Sequence, residues 1–316
     1  MSDPAPPPGA KRPHDLHLAR SAEDLLDRLV QRGIDPLAIA HSRIQPGTQC
    51  AILAGGSLTE GTGSPVSDLD LLILHDQASH YLEQPGGLQV RRGCGVSVND
   101  ITEGVEIDLE YYAWDALRPL KLSLLQAASV VRQGCGALPF LEKAEERFLH
   151  RLQHGWILAG PEMVDTWRRS LRSDRLGQLV ALKNLVICAD IIEDAWAALG
   201  SGTREAAYAG RNCVEYLMLA LAGLTDRTSP TRRFLFRYPT AHLSLDLAAT
   251  WHEGLDLLAA DLAATKDAQK VYLVAVTRFF IQVRDHIAAD SALAPFADQV
   301  LGALPQRPPS GDIDQA

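Results

Sequence analysis

Strand-like alternation of side chains stops near residue 115, and this one change constrains the fold more than any other feature of the sequence. Before it, Val105, Ile107 and Leu109 point one way while Glu106, Asp108 and Glu110 point the other, because successive side chains of a strand project from opposite faces. Apolar runs over 49–54 and 69–74 predict two more strands, and 89–98 predicts weaker ones broken by Gly93 and Gly95. Ahead of them, Ser21 followed by Asp24, Leu25, Leu26, Leu29 and Val30 and ended by Gly33 reads as a capped amphipathic helix whose apolar stripe needs a sheet to cover.

Beyond residue 115, Leu- and Ala-rich segments at helical spacing take over. The clearest is 174–199, where Leu176, Val180, Leu185, Cys188, Ile191, Ile192 and Trp196 line one broad face before Gly200. Further helices are predicted over 204–224, 243–264, 267–288 and 295–304, and such helices pack as a bundle. The fold class expected is α+β, a sheet domain followed by an all-helical bundle. The boundaries expected are a tail over 1–17, the sheet domain over 18–125, the bundle over 126–304 and a second tail over 305–316. Prolines at 4, 6, 7, 8 and 13 mark the first tail as flexible or polyproline-like.

Composition narrows the function classes. With 30 Lys and Arg against 39 Asp and Glu, the chain carries −9, whereas nucleic-acid binders displace counterions with basic patches. A nucleic-acid substrate is therefore not expected. Five widely spaced cysteines, at 50, 94, 135, 188 and 213, form neither a C-x-x-C pair nor an even disulfide framework, so a reducing compartment is the default. The first 13 residues lack the apolar centre of a signal peptide, and no later run reaches 18 uninterrupted apolar residues. A cytoplasmic protein without a membrane segment is expected.

The segment AGGSLTEGTGSPVSDLDLLIL, residues 54–74, carries the chemistry. Asp68 and Asp70 are two apart, so on an extended chain both carboxylates project from one face, close enough to share a hard cation. A third carboxylate from Glu106, Asp108 or Glu110 on a neighbouring strand would complete an oxygen-rich site suited to magnesium and a polyphosphate. Like charges so close call for a compensating cation. Gly55 and Gly56 allow backbone to approach phosphate oxygens without a Cβ in the way, and Ser57 adds a hydroxyl at the same edge. Taken alone, a D-x-D is as readily a loop or capping feature; the glycine-serine turn is what favours a site.

These residues resemble the DNA polymerase beta nucleotidyltransferase superfamily, whose signature is an apolar residue and G-[GS], then about ten residues, then D-x-D followed by an apolar strand. Ser57 and Asp68 are eleven positions apart, the spacing of the small-molecule branch, in which G-S-x-A-R-G precedes S-D-x-D-L; Gly61 and Ser67 fall in place as well. The resemblance spans about residues 45–112. It implies a mixed sheet, with Gly56 and Ser57 at the triphosphate of a nucleotide, Asp68 and Asp70 holding one or two magnesium ions, and Asp108 as the third carboxylate. Where many relatives have Arg before the second glycine, this chain has Glu60. In relatives with a helical carboxy-terminal domain of the kanamycin-nucleotidyltransferase type, a basic residue follows a small-residue-rich helix. Here Arg232 and Arg233 stand after Pro230, and Lys183, polar within an apolar helix, is another candidate for nucleotide binding.

Other features weigh less. His150 and His154 share a helix face at a spacing that can bind zinc, but a pair of histidines alone does not make a site, and a solvent-facing pair is expected. G-T-G-S lacks the third glycine of a dinucleotide fingerprint, no phosphate-binding lysine loop is present, and Ser57 has no histidine and acid at triad spacing. Trp156, Trp196 and Trp251 read as core or boundary aromatics.

The activity expected is transfer of a nucleoside monophosphate, by default AMP from ATP, to a small acceptor with release of pyrophosphate. Glu60, Glu103, Glu106 and Glu110 suggest a cationic, amine-bearing acceptor such as an aminoglycoside, although a general excess of acids would place carboxylates there as well. Two other readings stand beside it: a protein acceptor, making the chain an AMP-transferring or antitoxin-type regulator, and an inactive nucleotide-binding module. A homodimer is compatible with so many apolar helix faces.

Overall fold

The computed structural model describes residues 13–45, 47–76, 89–92, 94–133, 136–199, 204–225, 228, 235–236, 240, 243–261, 265–290 and 292–303. They form an α+β protein with two compact units, one of residues 1–124 and 141–174, the other of 125–140 and 175–316. The chain therefore does not divide once near residue 125, as the sequence pattern suggested. Leu141–Asp174 return to the unit that holds the sheet.

The sheet has six strands, β1 (Cys50–Gly55), β2 (Leu69–His75), β3 (Gln89–Arg92), β4 (Gly95–Thr102), β5 (Val105–Ala113) and β6 (Trp156–Ala159), in the order β3-β4-β5-β2-β1-β6. It is mixed, because β2 runs parallel to β5 while every other neighbouring pair is antiparallel. Every residue of β2 is buried, as expected of a strand paired on both edges and covered on both faces.

Strand β6 interrupts the second half that the sequence pattern made wholly helical. Its four residues are too few to show a period, and their strand conformation comes from pairing with β1. Gly160 then turns the chain with φ +66, where a Cβ would lie 2.8 Å from the Cys50 carbonyl oxygen. Pro161 opens the next helix, its fixed φ suiting a first helical turn.

One face of the sheet is apolar. Ile52, Leu71, Ile73, Ile107, Leu109 and Tyr111 pack there with Leu25 and Leu29 of α1 (Ala22–Gln31). The Ser21 hydroxyl caps α1 by accepting from the Asp24 amide at 3.2 Å. A short helix, α2 (Pro36–His41), adds Ala40 to the same core, and its Asp35 cap accepts from the amides of Leu37 and Ala38. Opposite alternation on β5 sends Asp108 and Glu110 to the other face.

Helix α3 (Gly56–Thr59) is a single turn after β1, and α4 (Arg118–Gln133) follows β5. Helices α5 (Lys143–His154) and α6 (Pro161–Leu171) complete the first unit on either side of β6.

The second unit is helical, with α7 (Leu176–Ala198), α8 (Glu205–Gly223), α9 (Leu245–Ala259), α10 (Lys266–Ala289) and α11 (Ala294–Ala303). Helices α7 and α8 touch through glycine. A Cβ on Gly177 would meet the Gly223 carbonyl oxygen at 2.3 Å, and one on Gly223 would meet the Gly177 oxygen at 2.6 Å. Trp251 is fully buried, and Trp196 donates its indole N–H to Thr277 Oγ1 at 3.2 Å. Among the described residues, no helix is long and apolar enough to cross a membrane.

Candidate active site

Asp68 is half-buried on the approach to β2, and Asp70 is the second residue of that strand. The parallel register sets Asp70 opposite Asp108 of β5, and the antiparallel register on the other edge sets it opposite Gly55, the last residue of β1. Asp70 and Asp108 are both buried. Of the three acids on the polar face of β5, Asp108 is thus the one brought beside Asp70. Glu103 lies apart from them, exposed in the β4–β5 turn with φ 51.

Gly56 follows Gly55 with φ +71, a left-handed conformation that favours glycine. It lies against the Asp70 carboxylate, which leaves no room for a Cβ. Ser57 comes next, half-buried in α3, and its carbonyl accepts from the Thr62 amide at 3.0 Å. The loop leading to Asp68 is held by its own hydroxyls, Ser67 Oγ accepting from the Ser64 amide at 2.8 Å. From outside the loop, His14 donates its Nε2–H to the Ser67 carbonyl at 2.7 Å, and the His14 amide donates to the Pro65 carbonyl at 2.7 Å.

A cation lies among these acids. Arg151 of α5 donates from Nη2 to Asp70 Oδ1 at 2.5 Å, and its Nη1 lies 3.0 Å from Glu110 Oε1 in a less well aligned ion pair. Glu110 also accepts from the Tyr112 hydroxyl at 2.9 Å, and the Tyr112 ring stacks on Phe148, one turn before Arg151 on α5. Asp108 Oδ1 accepts from the Ser97 hydroxyl of β4 at 2.9 Å.

Burial pushes the Asp70 carboxyl up to about 7; Arg151 pulls against that shift, while Asp68, Asp108 and Glu110 add to it. Burial also works against the charge on Arg151, but Asp70 and Glu110 outweigh it and hold the guanidinium pKa above its ordinary value. Tyr112 is raised well above the usual phenol range by burial and by Glu110.

This donor set fits one kind of metal. Among the described residues no three His, Cys, Asp or Glu side chains are grouped so that they could hold a metal ion by themselves. Magnesium, however, is commonly bound by one or two carboxylates together with substrate phosphates and water. Asp68, Asp70, Asp108 and Glu110 around a single guanidinium leave the cluster rich in acid oxygen. Such a donor set suits a hard, oxygen-preferring cation whose remaining ligands come from elsewhere.

The other residues singled out in the sequence fall elsewhere. Lys183 belongs to the second unit, where its ammonium lies 5.2 Å from the centre of the Phe140 ring. Arg232 and Arg233 lie outside the described residues. His150 is not a solvent-facing partner of His154, although their rings are 5.0 Å apart. It is 4% exposed, with Nε2 3.1 Å from Glu60 Oε1, an acid 90 positions away in sequence. Glu110 is likewise no surface attractor for a cationic acceptor, because it is buried against Arg151.

Sequence reasoning passed over Arg151, Ser97, Tyr112 and His14. A signal was present for Arg151. In FLHRLQH, residues 148–154, Phe148, Leu149 and Leu152 mark the buried face of a helix, and an arginine set among them at helical spacing needs a buried acid partner.

No protein-family model matches the chain, and no curated protein matches it. Among solved structures, the chain is similar to a nucleotidyltransferase-like protein from Exiguobacterium sibiricum. The two share 13% identity and a TM-score of 0.43 over 87% of this chain and 89% of that one.

Proposed function

We propose that the chain is a magnesium-dependent nucleotidyltransferase that moves a nucleoside monophosphate, AMP from ATP by default, to a small acceptor. The observation that carries this reading is Asp70 set opposite Asp108 on neighbouring strands, with the Asp68 charge acting on it and the Gly55-Gly56-Ser57 turn beside it. Paired carboxylates next to a glycine-rich turn suit a polyphosphate brought in with its metal.

In the reaction, an acceptor oxygen or nitrogen forms a bond to the α-phosphorus. The bond from that phosphorus to the bridging oxygen breaks, and pyrophosphate leaves with the electron pair. Magnesium, when bound, neutralises charge on the phosphates and on the leaving oxygens. Asp68 and Asp70 would hold the metal. Asp108, fixed through Oδ1 by Ser97, completes that set or takes the acceptor's proton. The Gly56 and Ser57 backbone and the Ser57 hydroxyl orient the triphosphate.

The test is thermal stability with magnesium and each of the four common nucleoside triphosphates, for the wild type and Asp68→Asn. Asp68 is the choice because it is half-buried and outside the Arg151 ion pairs, so an amide there disturbs folding least. A ligand of the native state raises stability by mass action. A magnesium-dependent rise with one nucleotide, lost in Asp68→Asn, supports the reading. No rise with any nucleotide in folded wild-type protein overturns it.

A further inference from the structure

Arg151 is the feature that nucleotidyl transfer does not by itself explain. Residues 54–74, which contain both aspartates and the glycine turn, include no Lys or Arg. The cation comes instead from α5, 81 positions after Asp70. Its path runs along the turn, for a Cβ on Gly55 would lie 3.0 Å from Arg151 Cγ and 3.2 Å from Cδ. The arginine stem thus crosses Gly55 and delivers its guanidinium to the carboxylate that lies against Gly56. The charge that neutralises the acids and the backbone suited to phosphate are at one place.

Both ends of the guanidinium are engaged, one with Asp70 and one with Glu110, and the side chain is only 8% exposed. A divalent cation approaching Asp70 alone would have to separate a buried ion pair and leave the Nη2 end of the guanidinium without its carboxylate, which is unfavourable. A metal that arrives with a triphosphate meets a different balance. The phosphate oxygens offer the guanidinium new acceptors in the planar, bidentate geometry it prefers. The Glu110 contact is the less well aligned of the two, so it is the one the guanidinium exchanges at lower cost for a better partner.

The geometry points to Arg151 as a resident counter-cation that keeps Asp70 closed to free divalent metal and yields it only to metal delivered with a triphosphate, to whose oxygens the guanidinium then transfers. This rests on the function proposed above and adds an order to it, with metal and nucleotide entering together. Arg151 is a positioning residue in the empty site and a phosphate ligand in the loaded one.

Two binding measurements on the full chain test it, made on the wild type, Arg151→Met and Arg151→Lys. The first is Mn²⁺ binding without nucleotide, followed by electron paramagnetic resonance. The second is calorimetric binding of a non-hydrolysable ATP analogue with magnesium present. Arg151→Met is expected to bind bare Mn²⁺ at least about tenfold more tightly, the scale of one close charge interaction, and the analogue at least about tenfold more weakly. Arg151→Lys keeps the charge but cannot span both acids, so bare Mn²⁺ should tighten less while analogue binding is largely kept.

A purely structural role would weaken both kinds of binding together, so the opposite signs are diagnostic. Unchanged or weaker Mn²⁺ binding in the folded Met variant overturns the proposal. If that variant does not fold, a Lys variant with wild-type Mn²⁺ affinity overturns it instead. Wild-type protein that binds no analogue overturns the transferase reading and the transfer to phosphate. The Mn²⁺ measurement then still decides whether Arg151 guards the carboxylate.

Discussion

Gly56 and Asp70 are in contact, so closely that a methyl group on Gly56 would lie 1.9 Å from Asp70 Oδ2. The glycine is required twice, by its φ of +71 and by the carboxylate beside it. Gly56→Ala is therefore expected to cost about 2 kcal/mol or more, the left-handed backbone alone accounting for about 1–2 kcal/mol. It should also drive Asp70 away from Arg151. Urea unfolding measures the first effect. Loss of the magnesium-dependent nucleotide shift in variant protein that remains folded measures the second.

The buried hydroxyl of Ser97 gives a second prediction, on the neighbouring strand. It donates to Asp108 Oδ1 at 2.9 Å, and both side chains are buried. Ser97→Ala removes one donor from a buried carboxylate at an expected cost of about 1–3 kcal/mol. Ser97→Thr keeps the hydroxyl and should recover much of the loss on a strand that tolerates β-branching. Equal stability of the wild type and Ser97→Ala in denaturant titration would show that the bond contributes nothing net.

Much of this site is legible in the sequence, and the reason is local. Alternation on 105–112 already sends Asp108 and Glu110 to one face, and the apolar run after Asp70 already reads as a buried strand. Asp68, Asp70, Gly56 and Ser57 fall within fifteen residues, so short-range geometry relates them. Arg151 is different, since its partners are 81 and 41 positions away and only the packing of α5 on the sheet brings them together. The Glu60 to His150 contact and β6 are unreadable for the same cause, each made by tertiary pairing rather than by a local period. His14 looks like part of a proline-rich tail until its two hydrogen bonds to the motif loop are seen.

Those bonds make the protein's acid response predictable. Burial lowers the His14 pKa below its ordinary 6.5, and nearby Arg32 and His17 push the same way, against the hydrogen bond to Ser67 and the charge of Asp15. Nε2 already donates to Ser67, so protonation would place charge at Nδ1, which is buried without a hydrogen-bond partner among the described residues. In the window between the folded pKa and 6.5 the unfolded chain binds more protons than the folded one, so stability rises with pH. His14 thus contributes fully above pH 6.5, and its contribution is lost as pH falls through that window. Melting temperatures from pH 7.5 to 5 should show a smaller decline in His14→Gln, which can still donate to Ser67 but does not titrate. An identical decline in both proteins would exclude His14 as the source.

The helical unit makes a prediction independent of any chemistry. Gly177 and Gly223 let the backbones of α7 and α8 touch, and a Cβ on Gly223 would lie 2.6 Å from the Gly177 carbonyl oxygen and 2.9 Å from the Ala181 amide nitrogen. Both obstacles are backbone atoms in long helices, so no rotamer change relieves them. Alanine would ordinarily favour a helix over glycine by about 1 kcal/mol, but here overpacking should dominate, at about 1–3 kcal/mol. Gly223→Ala is therefore expected to lower stability despite its better propensity, whereas a gain in denaturant midpoint would mean that α7 and α8 can separate without cost.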